Sequence, residues 1–303
     1  MYEQIRSNKR KTFLIVGFFI LVIMLIMALA GYIFAGNFLT GMVIGLIVGG
    51  LYIALAVNSA PSSMLQMTKA KQIHQGKYDS IKEQQVYNIV SQLAMMQNLP
   101  QPKVYVVKDK QPNAFAIGMK PENASVAVTT GLLSRLNRAE IEGVIVHEIS
   151  HIQNYDSRLK VTTFALGSFL ILVGHFLFRS GQFGMMRPAR SRDRDNDSGI
   201  LVVFIGFLLG FLILIFGHLF SRLIQMWVSR NREYLADASA AEMTRNPDAL
   251  ASALMKISQM DPSEVADSSM SAMYFYNPFK KTGDSIWSTH PSTQNRIKAL
   301  KRL

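Results

Sequence analysis

No charged residue occurs between Lys11 and Lys69. In hydrocarbon every backbone N–H and C=O must find its partner within the segment, so an apolar stretch of this length folds as helix. Phe13 to Ala35 would extend about 34 Å as a helix and Phe38 to Val57 about 30 Å, against a hydrocarbon core of roughly 30 Å. The runs meet at Gly36-Asn37, a turn pair, and read as a transmembrane hairpin. A cleaved signal peptide is the competing reading, but the first run is too long for one and a second follows at once. Gly41, Gly45 and Gly49 put small residues on one face of the second helix, which favours a helix-packing surface over a hinge.

Charge orients the hairpin. Lys9, Arg10 and Lys11 precede it while the Gly36-Asn37 turn is neutral, so the positive-inside rule places the N-terminus, and the chain from Lys69 onward, in the cytoplasm. The 303 residues carry a formal net charge of +12, which taken alone would suit a nucleic acid. With 49% hydrophobic residues, that charge is better assigned to an anionic membrane surface, and no nucleic-acid partner is expected. The absence of cysteine excludes disulfides, thiolate metal sites and a cysteine nucleophile. No Gly-x-x-x-x-Gly-Lys-Ser/Thr loop is present, so no nucleotide partner is expected either.

The chemistry is concentrated in His147-Glu148-Ile149-Ser150-His151. On a helix, residues four apart share a face, so both imidazoles can close on one metal ion with Glu148 beside them. Ile141, Val144, Ile145, Ile149 and Ile152 supply the helical apolar spacing, and Glu140 and Glu142 suit the start of the helix dipole. A hydrolytic zinc centre keeps three protein ligands and one position for water. Glu148 stands where a general base would take that water's proton and pass it to the leaving amine. The third ligand must come from elsewhere. A surface helix with incidental histidines is the alternative.

Around this motif, Lys69 to Gln101 reads as an amphipathic helix with Val86, Ile89, Val90 and Leu93 on one face. Val104 to Val107, Ala114 to Ile117 and Ser125 to Thr129 read as short strands of a small sheet. Two more apolar runs follow, Val161 to Phe178 and Gly199 to Phe220. The loop between them, Arg179 to Ser198, carries five arginines against three aspartates, polar enough to be open to cleavage. If both runs cross, that loop lies outside, which the positive-inside rule disfavours; a hydrophobic hairpin that does not fully cross is the alternative, and crossing is favoured. Both arrangements return the chain after Ser221 to the side of His147. The expected organisation is 1–68 tail and hairpin, 69–160 first catalytic part, 161–220 apolar pair, and 221–303 second catalytic part.

Directly after the last run, Glu233 and Asp237 stand four apart on one expected helix face. Glu233 can supply the oxygen ligand and Asp237 can orient a ligand histidine, although such a pair alone is more often a solvated face. His175 and His218 would lie at different depths of antiparallel helices, so no second metal site is expected between them, and His74 reads as solvated.

Together these features resemble the M48 family of membrane-associated zinc peptidases, and within it the HtpX-like heat-shock proteases. The likeness covers nearly the whole chain: the hairpin, Asn113-Ala114-Phe115-Ala116, His147-Glu148-x-x-His151, the later apolar runs, Glu233-x-x-x-Asp237, and His290-Pro291 with Arg296. It implies an α+β, mostly helical gluzincin-like domain with a small β-sheet. It implies one Zn2+ per chain on His147, His151 and Glu233, with Glu148 as base and Asp237 in support. Asn113, Ala114, Phe115 and Ala116 would form an edge strand that pairs with an extended substrate backbone. His290 or Arg296 would hydrogen-bond the oxyanion, or Arg296 would instead pair with a carboxylate. The implied protein is a multi-pass endopeptidase of a bacterial cell membrane, acting on misfolded or unassembled membrane proteins. A prenyl-protein endopeptidase and a non-catalytic metal-bound scaffold are the alternatives; too few spans weigh against the first, and Glu148 weighs against the second.

Overall fold

Two long helices open the chain in the computed structural model, which describes residues 2–185, 204–208, 210–212, 214–215, 230–259, 273–276 and 291–303. Helix α1 runs Tyr2–Ala35 and α2 Phe38–Met67. Gly36 takes φ +64, the left-handed conformation that glycine adopts freely, and the Asn37 side chain then accepts from the Leu39 N–H at 2.9 Å to start α2. A Cβ at Gly45 would sit 2.8 Å from the Met27 Cβ, and one at Gly49 would sit 2.9 Å from the Ile23 Cγ2, so the glycine stripe is a packing surface. Both helices outlast their apolar runs. The first begins at Tyr2, because Glu3, Arg6 and Lys9 to Lys11 are compatible with helix, and the second continues past Val57 through Pro61.

Helix α6, Asp156–Met185, contains the third apolar run and carries it on through 179–185, which the sequence placed in the polar loop. The rest of that loop lies outside the described residues. Of the fourth run, only 204–208, 210–212 and 214–215 are described, and they are helical. Among the described residues three helices are long and apolar enough to cross a membrane: Ile5–Leu29, Phe38–Met67 and Asp156–His175.

The chain divides into two units, one formed by Phe13–Val57 and Thr163–Ile224, the other by Met1–Thr12, Asn58–Thr162 and Gln225–Leu303. The second unit holds a four-stranded sheet in the order β1-β2-β4-β3, from Lys71–Ile73, Lys103–Val107, Ala114–Ile117 and Ser125–Thr129. β2 and β4 are parallel; β1 and β3 flank them antiparallel. The expected helix over Lys69 to Gln101 is corrected here. Its first part is strand β1 and a turn through Gly76 at φ +76, and only Ile81–Met96 is helix, α3, capped by Ser80. A three-residue strand carries too little periodicity to be seen in sequence.

Helices α4 (Thr130–Arg135) and α5 (Arg138–Gln153) follow the sheet, and α7 (Arg230–Thr244), α8 (Pro247–Ser258) and α9 (Thr293–Leu300) complete the unit. α5 is buried from Ile141 to Ile152 except at Glu142, which is half-buried, and packs against α3, α7, α8 and β3. Its start is fixed by a reciprocal cap. Asn137 Oδ1 accepts from the Glu140 N–H and a Glu140 carboxylate oxygen accepts from the Asn137 N–H, each at 2.9 Å. The same carboxylate receives Ser252 Oγ and Lys256 Nζ of α8, both at 2.7 Å.

Burial alone would raise the Glu140 carboxyl, but the hydrogen bonds from Lys256, Ser252 and Asn137 lower it below the ordinary glutamate value. A depressed carboxyl stabilises the fold fully above its unfolded value near ~4.3, and that contribution fades as pH falls through the lower folded value. Glu140→Gln is therefore expected to cost about 1–3 kcal/mol at pH 7 and progressively less in acid, read as the unfolding-temperature gap from wild type in detergent. A gap independent of pH would show that the ionised carboxylate is not what joins α5 to α8.

Candidate metal centre

One turn of α5 projects His147 and His151 from the same face, and their Nε2 atoms approach to 3.2 Å. Glu233, in the first turn of α7, meets both: its carboxylate oxygens lie 3.5 Å from His147 Nε2 and 3.5 Å from His151 Nε2. All three side chains are buried, with donor atoms within 4.8 Å of one another. Nitrogen and oxygen ligands at about 2.0–2.2 Å around a tetrahedral ion stand roughly 3.3–3.5 Å apart. The observed separations fit such an ion, and the set of two imidazoles and one carboxylate is chemically suited to it.

Each imidazole is held from behind by a different carboxylate. His147 Nδ1 lies 2.9 Å from Asp237 Oδ1, and His151 Nδ1 lies 3.1 Å from Asp156 Oδ2. An Nδ1–H donated to a carboxylate leaves the Nε2 lone pair turned to the centre, which is the tautomer a ligand needs. Burial and the Lys160 ammonium push the His151 imidazole down, but its bonds to Asp156 and Glu233 outweigh them and hold it at about 9. The cluster therefore favours positive charge at its centre, as a divalent cation would supply.

Asp237 is itself clamped. Arg296 of α9 donates Nε to Oδ2 at 2.8 Å and Nη2 to Oδ1 at 2.7 Å, a bidentate pair. Burial would raise the Asp237 carboxyl, yet the Arg296 charge and hydrogen bonds hold it well below the usual carboxylate range. The other guanidinium nitrogen, Nη1, donates to the Phe275 carbonyl at 3.1 Å and lies 3.6 Å from Glu233. Of the two roles open to Arg296 in the sequence, the contacts are those of carboxylate pairing. His290 lies outside the described residues.

Asn113 to Ala116 lie where the sheet ends, with Ala114, Phe115 and Ala116 in β3, and a later part of the chain reaches the outer side of that strand. Phe115 bridges to Tyr274, the Phe275 N–H donates to the Ala114 carbonyl at 2.8 Å, and Asn113 holds Tyr276 through both its amide nitrogen (2.8 Å) and its oxygen (3.2 Å). At Asn113, Ala114 and Phe115 the chain's own Met273 to Tyr276 segment lies against this edge. That segment delivers the Phe275 ring edge-on to His147, centroids 5.0 Å apart, and under Arg296 at 4.7 Å. Glu148, next to His147 on α5, is buried as well.

Sequence reasoning missed Asp156, Arg232, Lys160 and Phe275. Arg232 Nη1 pairs with Asp156 at 2.9 Å, and Lys160 Nζ lies 3.7 Å from Glu233. The only signal for Asp156 was a carboxylate five residues after His151, just beyond the helix end. Spacing says nothing across that turn, where Tyr155 takes φ +60 and breaks the helix.

A buried two-histidine, one-glutamate cluster, in a chain whose described residues include three helices long and apolar enough to cross a bilayer, is an arrangement that suits a membrane metallopeptidase. The chain belongs to peptidase family M48, whose family model matches residues 80–303. Protease HtpX homologs from Ligilactobacillus salivarius, Leuconostoc citreum and Listeria monocytogenes are 42%, 41% and 41% identical to it, each aligned over 100% of both chains. The crystal structure of S. mikatae Ste24p shares the fold with a TM-score of 0.52 at 20% identity, over 99% of this chain and 67% of that one.

Proposed function

We propose that this protein is a zinc endopeptidase of the cell membrane whose active site faces the cytoplasm and which cuts exposed segments of misfolded or unassembled membrane proteins. The observation that carries the reading is the convergence of His147, His151 and Glu233 at 3.2–3.5 Å from one another, next to Glu148. Lys9, Arg10 and Lys11 ahead of the first span support the orientation.

In this reading His147, His151 and Glu233 hold the ion, while Asp237 and Asp156 keep the two imidazoles in the coordinating tautomer. Zinc, when bound, acts as a Lewis acid toward water and the scissile carbonyl. Glu148 accepts the proton of the attacking water at its carboxylate and returns it to the nitrogen of the leaving amine. The substrate backbone is held along the edge of the sheet where Asn113 to Ala116 lie, so recognition rests on main-chain groups and specificity is broad.

Purified protein loaded with zinc is expected to cleave an unfolded model polypeptide, and a chelator to stop it. Glu233→Ala is expected to remove most of the bound zinc, measured by elemental analysis after gel filtration. Unchanged zinc content would take Glu233 out of the ligand set, and zinc binding without cleavage in the wild type would favour a metal-bound scaffold.

A further inference from the structure

The first helix brings to the metal centre a residue that the chemistry of hydrolysis does not call for. Asn8, on the polar opening turns of α1, is 3% exposed. Its Nδ2 donates to Asp156 Oδ1 at 2.6 Å and to the Asn154 carbonyl at 2.7 Å. The other oxygen of Asp156 is the one on His151 Nδ1 at 3.1 Å. Asn8 is thus one hydrogen bond removed from a carboxylate that itself sits behind a metal-binding imidazole.

Each part of this chain of contacts has a physical reason. An aspartate that orients a histidine needs its second oxygen fixed, or the carboxylate rotates about its own bond and the imidazole follows. Here two donors fix it, the neutral amide of Asn8 and the Arg232 guanidinium at 2.9 Å. Arg232 directly precedes the ligand Glu233, so Asp156 ties the His151 side of the centre to the Glu233 side. The Asn8 amide can donate both its hydrogens, one to Asp156 and one to the Asn154 carbonyl at the end of α5. Those carbonyls are the ones a helix end leaves without intrahelical partners. Neighbouring Lys9 places its ammonium 4.4 Å from the centre of the Tyr155 ring, on the left-handed turn between α5 and α6.

We infer that Asn8 is a positioning residue for the metal centre: through Asp156 it fixes the His151 imidazole, so the N-terminal segment of the chain sets the affinity for the ion. Being neutral, Asn8 does this without adding a further cation beside a site that already has Arg232 and Lys160 near it. The inference rests on the assignment of His147, His151 and Glu233 as ligands.

The test measures the zinc dissociation constant of the full-length protein in detergent by competition with a chelating dye, together with the visible spectrum of the cobalt-substituted form. Asn8→Ala is expected to weaken zinc binding by about 10-fold, at the low end of what losing a ligand's outer partner does, and to alter the cobalt spectrum. Lys9→Ala, which removes a contact of the same helix turn with Tyr155 but none with Asp156, is expected to stay within about twofold of wild type. In an Asp156→Ala background, Asn8→Ala is expected to add nothing further. The inference is overturned if Asn8→Ala binds zinc as wild type does, if Lys9→Ala weakens it equally, or if the Asn8 effect persists undiminished without Asp156. A wild-type protein that binds no zinc, or one whose binding is untouched by Glu233→Ala, would sink the ligand assignment itself and this inference with it.

Discussion

Glu148→Gln is expected to slow cleavage of an unfolded polypeptide by about 10²–10⁴-fold while zinc content stays close to wild type. Glutamine keeps the size and shape of the side chain but cannot accept a proton at neutral pH, so the substitution removes proton transfer and little else. Glu148 is 1% exposed, and the three donors that converge do not include it, which is why ion binding should survive. The positive guanidinium of Arg296 lies within electrostatic reach of it. The measurement is a pair: turnover of the purified enzyme, and metal per chain on the same sample. Equal turnover would mean that some other group carries the proton, and loss of metal together with activity would mean that Glu148 helps to build the site.

Arg296→Leu is expected to be the most destabilising substitution in the site, by about 3–5 kcal/mol, because it leaves buried carboxylates without their counter-charge. Arg296 is 2% exposed and is shared between Asp237, Glu233 and the Phe275 carbonyl. Against a total stability of about 5–15 kcal/mol, that loss should appear as a much lower unfolding temperature in detergent and a smaller yield of folded protein. Arg296→Lys keeps the charge but cannot offer the two-pronged contact to Asp237, so an intermediate loss is expected. An oxyanion role predicts another pattern: both variants would fold normally and lose turnover alone. Wild-type stability in Arg296→Leu would therefore reject carboxylate pairing as its main task.

Particular residues show why some features were legible in the sequence and others were not. The HEISH motif could be read because both imidazoles depend on one helical turn, and the capped, apolar α5 supplies that turn locally. The hairpin was legible for a similar reason, since hydrocarbon leaves an uncharged run no alternative to helix. Helix ends were less visible: Tyr2 to Thr12 and 179–185 are polar, and only the structure shows them continuing α1 and α6. The contacts on the outer side of β3 were not legible, because what reaches a strand's edge depends on distant chain, here Tyr274 and Phe275.

Local interactions wrote themselves into the sequence: apolar length, the four-residue spacing of His147 and His151, and the cap that starts their helix. Tertiary structure alone decided which carboxylate stands behind each histidine and which cations balance those carboxylates. Asn8 reaches Asp156 and Arg296 reaches Asp237 across sequence separations of 148 and 59 residues. Such pairings leave no periodic trace, because their partners are set by how helices pack and not by any repeat along one of them.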